Sequence, residues 1–576
     1  MRVLLVFTLV VSGLSGCARR PEPAELVLEH GLVVTMNPSQ QRAQALAARG
    51  SRIVAVGTDD EIGRYVGPAT RVVDLRGMLA VPGLIEGHGH LTGLGRARRT
   101  LDLSRARTWE AVVELVRAAA ASAPDGAWIV GWGWHQEKWE APPRPAVEGY
   151  PVHDALSAAA AGHPVMLKHA AGDHMGIASA EALARAGITR ATPDPPGGTI
   201  LRDARGEPTG VLRENAWQQV LDAYAESLAS RSPEQVEADV RAEVEAAMAE
   251  CLVKGITSFQ DAHSPFVEID VFRRMADEGR LPVRLYVMVR EPNDVLRARL
   301  SAYRTIGAGG GFLTVRAIKK QMDGALGSHG AWLLEPYADK PGDSGLNTDP
   351  VAEIEETARL ALEHGFQLAV HAIGDRANRE TLSIYERVLS ASPQAASPRF
   401  RIEHAQLLAP EDVPRFAASG IVAAMQGIHA TSDGPWVPAR IGPQRARERA
   451  YVWRRLLDAG AVVSNGTDCP IEDPDPIANF DASVTRRMKD GTSFFPEQRM
   501  TREEALRSMT VSAAYAAFEE DVKGSLSAGK YADVTVLTQD LLSVPDVAIP
   551  RTRVALTIVG GRIAYDAISG DPLESE

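Results

Sequence analysis

The sequence predicts an α/β fold: a TIM (β/α)8 barrel, a small β-sandwich formed from both chain ends, and an insertion after the first barrel strand. Three observations predict it. Between residues 82 and 519, short apolar runs alternate with amphipathic helical stretches, the pattern of parallel βα units. Residues 24–81 and 520–570 lack long helical patterns and read as short strands parted by Gly and Asp turns. The stretch 108–232 has its own strands and helices, too much for a simple crossover between two barrel strands. With 576 residues and 45% hydrophobic composition, the chain is long enough for two or three such units.

The first segment, residues 1–17, is read apart from the fold. Arg2, the apolar run VLLVFTLVV and then Leu14-Ser15-Gly16-Cys17 have the layout of a signal peptide, too short to span a bilayer. The run Leu-Ser-Gly-Cys resembles the bacterial lipobox, which implies cleavage before Cys17 and its lipidation. Ala18 after it implies the outer membrane of the cell envelope, facing the periplasm. Only Cys251 and Cys469 remain, so no disulfide framework is expected.

After the linker ARRPEPAE come the strand-like pieces LVLEHGLVVTM, SRIVAVG and RVVDLRGMLAV. Similar pieces return near the C-terminus as GSLSAGKYADVTVLT and VALTIVGGRIAYD, and the two groups together make the expected sandwich. Eight barrel strands are read in order: LAVPGLIEGH, GITSFQDA, PVRLYVMV, TVRAIKKQMDG, FQLAVHAIGD, RFRIEHA, IVAAMQG and AVVSNGTD. Helical stretches such as VAEIEETARLALEHG separate most of them. The insertion carries WIVGWGW, PVMLKHA and the turn-rich PDPPGGTILRDARGEPTG, and is expected at the barrel mouth, where it shapes the pocket. A net charge of −12 supplies no basic face for nucleic acid.

Several strand ends carry chemistry. His88 and His90 alternate along the first strand, so both imidazoles point to one side and can share a metal ion. His371, His404 and Asp468 close three further apolar strands, and active sites of this architecture gather at the C-terminal strand ends. Imidazoles with a few carboxylate oxygens suit zinc first, as one or two divalent ions. Lys319 and Lys320 point to opposite sides of the fourth strand, and periodicity does not choose between them. A bare ammonium would repel a cation, so a lysine serves there only as a carbamate anion. His135 belongs to the aromatic cluster GWGWHQEKW, read as a packing nucleus or a substrate contact. Gln426 and His429 follow the seventh strand toward the pocket, and Asp375 is placed to cap the helix after the fifth.

The blocks PGLIEGHGHL, GITSFQDA, IKKQMDGALGS, HAIGDRA, RIEHAQ, NGTDCP and GSLSAGKYADVTVL resemble, in order and spacing, the metal-dependent amidohydrolases of the family 3 branch that includes N-substituted formamide deformylase. The resemblance implies His88 and His90 as ligands of a more buried metal and Lys319 as a carboxylated bridging ligand. It further implies His371 and His404 as ligands of a second metal, with Asp468 as ligand and proton shuttle. His404 or His174 assists the oxyanion, and Asp323, His135 and Gln426 are candidate substrate contacts. The chain departs from the pattern at Glu86, where Asp is frequent, at Thr467-Asp468-Cys469-Pro470, and at Gly172-Asp173-His174. The expected reaction is hydrolysis of a non-peptide C–N bond, an amide or formamide, by metal-activated water. A metallo-esterase or lactonase, and a lipid-anchored solute-binding protein, are the competing readings. Expected partners are a small-molecule substrate and the membrane through the anchor, with a homo-oligomer left open.

Overall fold

The computed structural model describes residues 21–568, apart from 137–138, 170–171, 196–197, 328 and 393–396. Cys17 lies outside the described residues. The chain divides into two compact units, 1–84 with 510–576, and 85–509. Among the described residues, no helix is long and apolar enough to cross a membrane.

The first unit contains two sheets. One runs Arg52–Gly57, Ala45–Arg49, Leu26–Glu29, Arg71–Asp74, and the other Arg562–Asp566, Val554–Val559, Val534–Leu537, Leu79–Pro82, Leu32–Asn37, Gln40–Ala43. Alternate apolar residues of both, including Leu26, Leu28 and Leu46 from one and Val33, Val534, Val536 and Leu556 from the other, form one buried cluster. Leu79–Pro82 lies parallel to Leu32–Asn37 and antiparallel to Val534–Leu537, so the two chain ends share a sheet.

The second unit is built on eight strands in barrel order: β1 (Leu84–Gly89), β2 (Ile256–Ser264), β3 (Arg284–Val289), β4 (Leu313–Gln321), β5 (Gln367–Ala372), β6 (Arg401–His404), β7 (Val422–Gln426) and β8 (Val463–Gly466). The pairs from β2 to β8 are parallel. Their residues are almost wholly buried, as expected of strands covered by helices. The ring closes where the Asp468 amide donates to the His88 carbonyl at 2.8 Å and the Thr467 amide to Glu86 Oε1 at 2.7 Å. A Cβ on Gly87 would stand 2.4 Å from the Asn465 carbonyl oxygen, so this approach of β1 to β8 requires glycine.

One expected strand is two. The run LAVPGLIEGH was expected as a single barrel strand, but Leu79–Pro82 belongs to the first unit's sheet and only Leu84–Gly89 to the barrel. Pro82 has no N–H to continue a ladder, and the Gly83 amide turns to the Asp533 carbonyl at 2.9 Å.

The insertion forms its own mixed sheet, in the order Gly198–Arg202, Pro208–Glu214, Gly172–Ala178, Val165–His169, Ile129–Trp134, Leu101–Asp102. Trp134 and Trp139 stack at 6.0 Å within a buried cluster that includes Trp109, the packing-nucleus role of the aromatic run. A second cluster gathers around Trp217 of the helix Asn215–Ala229.

Candidate active site

His88, at the end of β1, is fully buried, and its Nδ1 faces Glu403 Oε2. Glu403 is gripped by Arg401, Nε to Oε1 at 2.7 Å and Nη2 to Oε2 at 3.0 Å. Arg401 also donates to the Gly87 carbonyl at 2.9 Å and to Gln260, tying β6 to β1 and β2. Burial alone would raise the Glu403 carboxyl, but the Arg401 charge and the His88 contact hold it far below the usual carboxylate range. His88 is lowered to about 4, by burial first and then by the charge of Lys319. A neutral His88 donating Nδ1–H to Glu403 presents the lone pair of Nε2, the arrangement in which a carboxylate orients a histidine ligand.

His404 ends β6 with φ 73°, and Asp468 follows β8 with φ 59°, left-handed conformations uncommon for residues with side chains. His404 Nδ1 lies 2.8 Å from Gln426 Oε1, which leaves Nε2 to the cavity. Burial, then the neighbouring His371 and His88, keep His404 well below the ordinary imidazole value. His371, on β5, is held by the Gly324 carbonyl and is lowered to about 3 by burial and by Lys319. Asp468 would be raised by burial, yet the closeness of His90 and the pull of His88 and His404 hold it well below its usual value. His90 Nε2 and His88 Nε2 stand 3.0 and 3.5 Å from Asp468 Oδ1. Neither contact has hydrogen-bond alignment, so His88 Nε2, His371 Nε2 and Asp468 Oδ1 are buried without a hydrogen-bond partner. Donor atoms of His88, His404 and Asp468 lie within 4.8 Å of one another. Orphaned imidazole nitrogens converging on a carboxylate oxygen fit a divalent cation and little else.

The register of β4 decides between the two lysines. Lys320 Nζ donates to Glu353 Oε1 at 2.7 Å, on the helix side, whereas Lys319 lines the cavity with His371, His404 and Asp468. Burial lowers Lys319 to about 8, against the pull of Glu403 and Asp468. The cavity has a volume of about 400 Å³. His90, His263, Arg290, His429, Trp436 and Glu472 also line it. His263 is lowered to about 4, by burial and then by Arg290.

The other expected site residues fall elsewhere. Asp323 is buried behind the wall, where its carboxylate accepts from the amides of Trp332, Ile373 and Gly374 at 2.8, 2.9 and 2.8 Å. It fastens the loops after β4 and β5 and stands 3.6 Å from His371 Nε2, a positioning role in place of the expected substrate contact. Gln426 orients His404. The His135 ring lies 4.6 Å from that of His169, within the insertion. The side chains of Asp173 and His174 are outside the described residues. The described lining of the cavity comes from barrel strand ends and their loops, not from 108–232. Asp375 opens the helix Asp375–Ser390 with Gly374 at the cap position; its carboxylate takes the Leu334 amide and Arg449 instead.

Glu403, Arg401, His263 and Arg290 were not anticipated. Arg401 and Glu403 alternate on β6 toward the interior, and the positive φ at His404 breaks the alternation so that His404 also turns inward. His263 and Arg290 could have been found by the rule that singled out the others, since they stand at the ends of β2 and β3.

The description of the Amidohydrolase family matches residues 71–565. The chain is 28% identical to N-substituted formamide deformylase of Arthrobacter pascens, over 94% of this chain and 98% of that protein. It is 31% identical to Protein LONG AFTER FAR-RED 3 of Arabidopsis thaliana, over 94% of this chain and 92% of that protein. Among solved structures it is similar to an uncharacterized metal-dependent hydrolase from Pyrococcus furiosus. That likeness has a TM-score of 0.73 and 26% identity, covering 90% of this chain and 100% of the other.

Proposed function

The chain belongs to the amidohydrolase family, and from that premise we propose that it hydrolyses an amide or formamide C–N bond in a small molecule. The observation that carries this reading is the set of unpartnered donor atoms on His88, His371 and Asp468 gathered at the strand ends, where His371 and Asp468 line a cavity. His88, His90, His371, His404, Asp468 and a carboxylated Lys319 would hold one or two divalent ions; the donor chemistry suits zinc. Bound there, the metal supplies Lewis acidity and lowers the pKa of water from about 15.7 toward roughly 7.

The remaining work belongs to the side chains. Asp468, held ionised by the surrounding histidines, takes the proton of the attacking water and returns it to the leaving nitrogen. Gln426 accepts from His404 Nδ1–H and so fixes the ring with the Nε2 lone pair free to serve as a ligand. Lys319 gives up its proton readily in its buried setting, as formation of a carbamate requires. Asp468→Asn is expected to keep bound metal by elemental analysis while turnover drops at least a hundredfold. Near-normal turnover would reject the role.

The two-sheet unit made from both chain ends is read as the β-sandwich, and the segment 108–232 as a subdomain inserted after β1. Cys17 is proposed as a lipid anchor holding the enzyme to the envelope, on the strength of the Leu14–Cys17 run. The mass of the mature N-terminal peptide is expected to show a diacylglyceryl-modified Cys17, and an unmodified terminus would remove the anchor.

A further inference from the structure

Arg290 directly follows β3, and its amide is fixed to the Ser264 carbonyl at 2.9 Å. Its side chain is partly buried and lines the cavity with His263, Lys319, His90 and Asp468. Among the described residues its guanidinium has no hydrogen-bond or ion-pair partner. Other arginines of this unit are matched: Arg401 with Glu403, Arg297 with Glu356, Arg274 with Glu237, Arg299 with the Tyr303 hydroxyl.

Nearby carboxylates are already committed. Glu291, its neighbour in sequence, accepts the Phe266 amide at 2.8 Å. Asp261 takes the Leu91 amide at 2.8 Å and the Ser264 hydroxyl, and Glu268 takes Ser264 and Thr92 at 3.2 and 3.3 Å. On the same cavity wall, Asp433 is bonded to the Tyr451 hydroxyl and Asp468 lies among histidines; Glu472 also lines it, and among the described residues it forms no ion pair with Arg290. A partly desolvated guanidinium with no anion from its own chain is unfavourable unless a ligand supplies one, and its planar fork matches a carboxylate.

We propose that Arg290, with His263 beside it, receives a carboxylate of the substrate, so that this site prefers amides carrying a carboxylate a few bonds from the scissile C–N bond. A cavity of about 400 Å³ that contains both Arg290 and Asp468 sets that spacing at the length of one small molecule. The inference rests on the amide-hydrolase reading and deepens it. Arg290 is then a determinant of specificity, acting on substrate affinity and not on the proton transfers at Asp468.

The test uses metal-loaded enzyme and substrates paired by the same scissile bond, formanilide against 4-formamidobenzoate. The charged member is expected to have at least a tenfold higher kcat/KM. Arg290→Gln should abolish most of that preference through KM, and Arg290→Lys, which keeps the charge but loses the fork, should restore part of it. A second readout needs no turnover: 4-aminobenzoate titrated calorimetrically into the holoenzyme should bind at least tenfold more weakly to Arg290→Gln. The preference surviving in both variants, or equal binding of 4-aminobenzoate to wild type and Arg290→Gln, would overturn the proposal. If wild type hydrolyses neither amide, the amide-hydrolase reading fails, and the titration alone still decides whether Arg290 takes carboxylates.

Discussion

Glu403 does not line the cavity, yet it fixes which nitrogen of His88 is left to face Asp468. Arg401 keeps it ionised, and the pair is wholly buried. Such partners of a metal-binding histidine typically change affinity about 10- to 100-fold when removed. Glu403→Gln is therefore expected to weaken zinc binding by about that factor, measured by competition with a chromogenic chelator at a temperature where the variant is folded. Leaving Arg401 buried without its carboxylate also costs stability, on the order of 3–5 kcal/mol. Unchanged zinc affinity would separate Glu403 from the ligand set. The histidines were readable as chemistry because each closes an apolar strand, but Glu403 was hidden by being one residue from His404. Strict alternation assigns only one of two adjacent residues to the interior, and the left-handed turn at His404 that admits both is not written in residue type.

The barrel strands were legible because each is a short apolar run between amphipathic helices, and burial on both faces leaves no polar alternation to blur them. Their ends were legible for the same reason, and His371, His404 and Asp468 at those ends line one cavity. What failed was the passage between units. LAVPGLIEGH is apolar throughout, and only Pro82 and Gly83 mark where the chain leaves one sheet for another. The composition of 108–232 revealed a separate sheet and its tryptophan core but not where it sits, since periodicity reports which face of an element is covered and not by what. Asp323 and Gln426 were placed near the chemistry but assigned to the substrate. The bonds they make to distant backbone amides and to a neighbouring imidazole depend on contacts between strands far apart in sequence.

For the whole molecule, burying several neutral histidines makes stability depend on pH. His88 and His371 are lowered to about 4 and about 3, and His404 is also depressed, against an unfolded value near 6.5. Between pH 6.5 and about 4 the unfolded chain binds protons that the folded chain refuses, so stability falls as pH falls through that window. The metal-free protein is expected to melt at progressively lower temperature from pH 6.5 to 4 by scanning calorimetry. Added zinc should raise Tm near pH 7, with the gain fading on acidification because ligands must be deprotonated. A flat Tm across this range would contradict the neutral, buried state of the three imidazoles. A last consequence comes from the sheet shared by the two chain ends. Leu79–Pro82 obtains its second neighbour only when Val534–Leu537 exists. At roughly 5–20 residues per second on the ribosome, that edge waits tens of seconds, with nearly the whole barrel made in the interval. During biogenesis the first segment is thus an open template for mispairing, and a chaperone that shields nascent strands has its task set by the order in which this polypeptide is threaded.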